Sequence, residues 1–174
     1  MKQSVICIAT SYPQADAIIR DLQASGFANA DISILANDPH GRGDFGHEKS
    51  TKASEGVAAG AAAGGVTGGV VGLLAGIGTL AIPGLGALIA AGPILAALSG
   101  AAAGAATGGT VGGLIGLGIP EIEARRYEGK LRSGNYLISA HVETSEAEDR
   151  AEEIFKRHDA QDISSIGEKA VPSR

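Results

Sequence analysis

The sequence predicts an α+β fold: a ferredoxin-like sandwich of two βαβ halves, interrupted by a long Gly/Ala-rich antiparallel helical hairpin. Three observations predict it. Both ends of the chain carry a strand, helix, strand pattern; no charged residue lies between Gly56 and Pro120; and glycines inside that uncharged run recur every fourth residue. At 174 residues the chain has the length of one domain carrying a large insertion.

The first half occupies residues 1–36. Ser4 to Ala9 (SVICIA) is a short β-rich run, and Cys7 between Ile6 and Ile8 reads as a buried core thiol. A helical pattern follows with Ala15, Ile18, Ile19 and Leu22 on one face, stopped at Gly26. Asp31 to Leu35 (DISIL) is the second strand. The other half lies in residues 120–174, and it repeats the plan. Pro120 opens a short helix that Gly134 stops, with Ile122, Arg126 and Lys130 at helical spacing. Tyr136 to Val142 (YLISAHV) alternates as a strand, which places His141 on its solvent side. Ser145 and Glu148 have the spacing of a capping box, Ala147, Ala151, Ile154 and Phe155 form the buried stripe behind it, and DISSI (Asp162 to Ile166) closes the unit. At constant spacing Ile6 aligns with Ile138, Ala15 with Ala147, Ile19 with Ala151 and Leu22 with Ile154. A single deletion then aligns Asp31-Ile32-Ser33 with Asp162-Ile163-Ser164. Two such units in series make one four-stranded antiparallel sheet with helices on one face.

Between the halves lie a polar linker, residues 37–55, and the uncharged run, residues 56–119. The linker holds Gly, Pro and charge in loop-like proportion. His40 and His47 with Asp38, Asp44 and Glu48 lack the organised spacing of a metal site, and Arg42-Gly43-Asp44 is an adhesion-like tripeptide in a chain read as cytoplasmic. In the run, Gly60, Gly64, Gly68, Gly72 and Gly76 form one register and Gly100, Gly104, Gly108, Gly112 and Gly116 another. Positions four apart share a helix face, where glycine lets a second backbone approach closely. The two registers mirror each other about Leu88, Gly60 pairing with Gly116 and Gly76 with Gly100. This is the arrangement of an antiparallel glycine-zipper hairpin, with Pro83, Gly84, Gly86, Gly92 and Pro93 as its turn. Val70, Leu73, Leu74, Leu114, Ile115 and Leu117 are then left to meet lipid or neighbouring subunits.

A bilayer span needs roughly 20 apolar residues, so the run has room for two. Lys49 and Lys52 before it and Arg125, Arg126, Lys130 and Arg132 after it are basic flanks of the kind found on the cytoplasmic side of a membrane. The expectation is a hairpin inserted in the membrane and self-associating, with the α+β part on the cytoplasmic face of the inner membrane. Two alternatives stay open: a soluble homo-oligomer in the cytoplasm with the hairpins buried inside, and a small ligand-sensing module. The start, MKQSVICIATSYPQ, has no secretory pattern and reads as a mature cytoplasmic N-terminus.

Composition excludes several functions. A net charge of −5 and aromatics at 3% with no tryptophan give neither the field nor the stacking residues for nucleic acid. One cysteine permits no intramolecular disulfide and no CxxC site. There is no P-loop or dinucleotide fingerprint, and Glu152 and Glu153 read as the wet face of a helix, so neither an enzyme nor a cofactor is expected. The stretch Gly78 to Gly109, continuing into Gly113 to Val142, resembles the bacterial general stress protein 17M-like and low-temperature-induced protein group. The marks are the turn IPG-x-G-x-x-x-AAGP and the segment GLGIPE-x-EA-x-x-YE. The resemblance implies a stress-associated protein of undefined biochemical activity and supplies no catalytic residue; the linker departs from it.

Overall fold

The computed structural model describes residues 3–37, 78–82, 86–91, 111–112, 114–115 and 118–167. In chain order these form β1 (Gln3–Ala9), α1 (Tyr12–Ala24), a 3-10 turn (Asn29–Asp31), β2 (Ile32–Asn37), β3 (Gly78–Ile82), β4 (Gly86–Ala91), α2 (Glu121–Arg132), β5 (Tyr136–Val142), α3 (Ser145–Arg157) and β6 (Gln161–Gly167). The fold is α+β. Its sheet has the order β3-β4-β2-β5-β1-β6, every neighbouring pair antiparallel. The four strands of the two halves are adjacent in it, and the pairs that hold them together cross between halves: β1 on β5, β5 on β2, β1 on β6.

Strand alternation sends successive side chains to opposite faces. On one face Val5, Cys7, Ile32, Ile34, Ile138 and Ala140 pack under α1 and α3. Those helices contribute the expected stripes: Ala15, Ile18, Ile19 and Leu22 from α1, Ala151, Ile154 and Phe155 from α3. Ser11 caps α1 by accepting from the Gln14 amide, and Gly26, at φ 94°, ends it in a conformation that favours glycine. The cap of α3 is Thr144, which accepts from the Ala147 amide at 3.2 Å, one residue before the expected Ser145. Asp21 of α1 ties the two helices together, 2.7 Å from His158 Nε2 and 3.3 Å from the Arg157 guanidinium.

The opposite face is also covered, which departs from the expected two-layer sandwich. Ile6, Ile8, Leu35, Leu137 and Ile166 pack against α2 through Ala124, Tyr127 and Leu131. This stripe, not Ile122, Arg126 and Lys130, is the buried one, because it alone is apolar at helical spacing. Leu114 and Ile119 join the same cluster, Leu114 with no exposure at all. Leu114 was expected to meet lipid or a neighbour; it is instead buried within this cluster on the sheet. Ile115 beside it is 42% exposed.

Within the uncharged run the described residues correct the helical hairpin in part. Gly78–Ile82 and Gly86–Ala91 are paired extended strands, with Leu80 opposite Leu88 and Ile82 opposite Gly86. Leu88, the expected centre of the hairpin, thus lies within a strand, and Gly86 begins that strand. β4 continues the sheet along β2, Ile34 opposite Ala91 and Asn37 opposite Leu88. An open sheet edge leaves backbone N–H and C=O groups to be paired, and a strand added there satisfies them.

Candidate functional site

Two places on the described fold gather polar side chains. The first is a groove of about 610 Å³ at one end of the sheet. The positive φ of Gly26 turns the chain out of α1, and the Thr144 cap starts α3 directly after β5, so both connections border the same space. Asp31, His141, Glu143, Thr144 and Arg150 supply its polar lining and Phe27 its largest apolar surface. The volume suits a small molecule. Arg150 donates to the Ser25 carbonyl at 3.4 Å, which spans the groove from α3 to the end of α1. His141 is half-buried, and its Nδ1 lies 3.1 Å from Ser4 Oγ. That hydroxyl belongs to a residue only 7% exposed, on the sheet and away from the groove, so the pair is placed to fasten β1 to β5 and not to attack a substrate. Among the described residues no group of His, Cys, Asp and Glu has metal-binding geometry.

The second place is the seam between α2 and the edge strand β6. The β1–β6 register shifts between Ile6 and Ile8, which face Ser164 and Gln161, and Asp162 in the bulge has φ 49°. A non-glycine residue in this region is strained, aspartate less than most. Four side chains of α2 meet this bulge. Tyr127 donates to the Asp162 carbonyl at 3.2 Å, Arg126 and Lys130 approach its carboxylate at 3.7 and 3.8 Å, and Glu123 accepts from Ser164 Oγ at 3.2 Å. Burial, helped by the nearby Glu123 charge, pushes the Tyr127 phenol up to about 12. The seam brings each charge against an opposite or polar group, which is the arrangement of a latch. Cys7 is buried as expected, and burial raises its thiol far out of the reactive range.

The basic residues expected to flank a membrane are engaged within the domain. Arg125 pairs with Glu121 at 2.7 Å and Arg132 with Glu128 at 3.0 Å, while Arg126 and Lys130 hold Asp162. Gly112 is helical, and a Cβ built on it meets nothing within 4 Å, so no described neighbour uses the close approach it permits. Gly60, Gly64, Gly68, Gly72, Gly76, Gly100, Gly104, Gly108 and Gly116 lie outside the described residues. So do Pro83, Gly84, Gly92, Pro93, Lys49 and Lys52, and the linker with His40 and His47. Among the described residues no helix is long and apolar enough to cross a membrane. Asp162 was marked by sequence only as the start of a strand, and Tyr127, Glu123 and Arg150 were not singled out. Only the Tyr127 position, in register with Ala124 and Leu131, carried a signal that finds it.

No protein family, no curated protein and no solved structure matches this chain.

Proposed function

We propose that this is a non-enzymatic bacterial stress-response protein that self-associates through its glycine-register run, with the α+β domain as the part displayed in the cytoplasm. The strand order β6-β1-β5-β2 supports the finer reading of that domain as ferredoxin-like: numbered along the two halves, it runs fourth, first, third, second. The stress assignment rests on the resemblance carried by the segments around Pro83 and Glu121.

The observation that carries the reading is the pairing of β4 with β2. It returns the middle of the uncharged run to the sheet that the chain left at Asn37. One membrane crossing between Asn37 and Gly78 would put β3 on the far side of the bilayer from β2. Two crossings need roughly 40 apolar residues, more than lie between Gly56 and Gly78. Burial of the glycine registers against other copies of the chain meets neither obstacle. Close packing at glycine then favours the assembly, because each glycine lets two backbones gain dispersion contacts that a larger side chain would block.

Embedding in the inner membrane is the second reading, favoured by the absence of any charge from Gly56 to Pro120. Fractionation without detergent, followed by sizing, separates the two. A discrete soluble particle supports assembly; a pellet that resists carbonate and yields to detergent supports the membrane. Gly68→Leu and Gly108→Leu should each reduce particle size or membrane retention, and no effect from either sinks the role of the glycine register in both readings.

A further inference from the structure

The strand-to-helix connections of the two halves are built alike and differ at one position. β1 ends at Ala9 and Ser11 caps α1; β5 ends at Val142 and Thr144 caps α3. The helices also end alike. Gly26 and Asp159 take positive φ, and the Phe27 and Ala160 amides donate to the Leu22 and Phe155 carbonyls. By these caps Ala147 is the counterpart of Gln14, each the third residue of its helix and one residue off the alignment of the apolar stripes. Gln14 bridges its end of the fold. Its side-chain oxygen accepts from the Thr10 amide at 2.7 Å and the Thr10 hydroxyl at 3.1 Å, and its nitrogen donates across to the His158 carbonyl at 2.7 Å. Ala147 has no group to do this, and it lines the groove of about 610 Å³ instead.

At this end the Arg150 guanidinium reaches over to the Ser25 carbonyl, a long bond of 3.4 Å that leaves the rest of its donors for another partner. Asp31 and Glu143 line the same groove, yet among the described residues none of these three charges forms an ion pair. Elsewhere on the helices opposite charges meet, as Asp16 does Arg20 and Glu152 does Lys156. A cation and two carboxylates held apart around one groove match a ligand that carries both charges itself, and Phe27, Ala30 and Val142 add apolar wall. We propose that this groove binds a small zwitterion, a free α-amino acid with an apolar side chain, its carboxylate on Arg150 and its ammonium on the Asp31 and Glu143 carboxylates. The site does not depend on how the glycine run associates.

The test is calorimetric titration of the full chain with L-leucine and L-phenylalanine, and with the same two skeletons lacking either the amino group or the carboxylate. An amino acid should bind, and its single-charge analogues should bind at least about tenfold more weakly, the loss that one charge-assisted hydrogen bond gives. Arg150→Gln should weaken the amino acid by a similar factor. Ala147→Gln, which gives this end the residue that bridges the other, should abolish binding while keeping the circular dichroism of the parent, since glutamine is favoured at that position of a helix. Failure of both amino acids to bind at millimolar concentration overturns the site. So does binding that survives Arg150→Gln and Ala147→Gln alike, and so do analogues that bind as tightly as the amino acid.

Discussion

Tyr127 donates its phenol hydrogen to the backbone carbonyl of Asp162 across 3.2 Å, joining α2 to a bulged edge strand. Removing that hydroxyl takes this partner from the carbonyl. Tyr127→Phe should therefore cost about 1 kcal/mol, read as a lower urea midpoint with an unchanged slope.

The same phenol makes stability depend on alkaline pH. Its value is raised from 10.0 to about 12 because burial disfavours the phenolate, with Glu123 adding to the effect. The unfolded chain releases this proton first, so the contribution is complete below pH 10 and is lost as pH rises from 10 to 12. Unfolding midpoints followed across that window should fall less steeply in Tyr127→Phe than in the parent. A residual slope remains from Tyr12 and Tyr136, whose phenols burial also raises.

At Asp162 the backbone decides. With φ at 49°, a β-branched residue is strongly disfavoured, and Asp162→Val should lose about 1–2 kcal/mol. Asp162→Gly fits that conformation and gives up only long ion pairs to Arg126 and Lys130, so it should stay within about 0.5 kcal/mol of the parent. Equal losses in both variants would mean that the carboxylate, not the conformation, matters here.

Neighbouring residues of the returning run should respond very differently. Leu114 is fully buried in the cluster between the sheet and α2, so Leu114→Ala should cost about 2–5 kcal/mol. Ile115 is 42% exposed, and Ile115→Ala should stay within about 0.5 kcal/mol. Thermal unfolding of the two variants side by side measures the contrast, and similar shifts would argue against this placement of residues 114 and 115.

The four strands and two helices of the βαβ halves were legible because their apolar periodicity is strong and their ends carry punctuation such as Gly26 and Gly134. Ala15, Ile18, Ile19, Leu22, Ala147, Ala151, Ile154 and Phe155 are the stripes that helical spacing singles out, and each but Ala147, which is half-buried, is buried. The helix from Pro120 was legible too, though not its role. Its polar residues hide a stripe of only Ala124, Tyr127 and Leu131, and nothing local says that the sheet's second face awaits it. β3 and β4 were missed for a different reason. They lie between the two glycine registers, where Pro83, Gly84, Gly86, Gly92 and Pro93 read as a turn, and the extended pairing of Gly78–Ile82 with Gly86–Ala91 depends on the edge of β2, a partner remote in sequence. The Asp162 bulge had no local mark beyond aspartate's tolerance of positive φ.

Because β5 lies between β1 and β2, the two N-terminal strands share no ladder with each other. On the ribosome they emerge first and then wait for Tyr136–Val142, while the whole apolar run is synthesised in between. At roughly 5–20 residues per second that delay is on the order of ten seconds, with Ile6, Ile8 and Ile32 lacking their sheet partners throughout. The nascent chain is thus most vulnerable just before completion, when it carries the most unburied apolar surface, and its yield in the cell depends on what shields it during that interval.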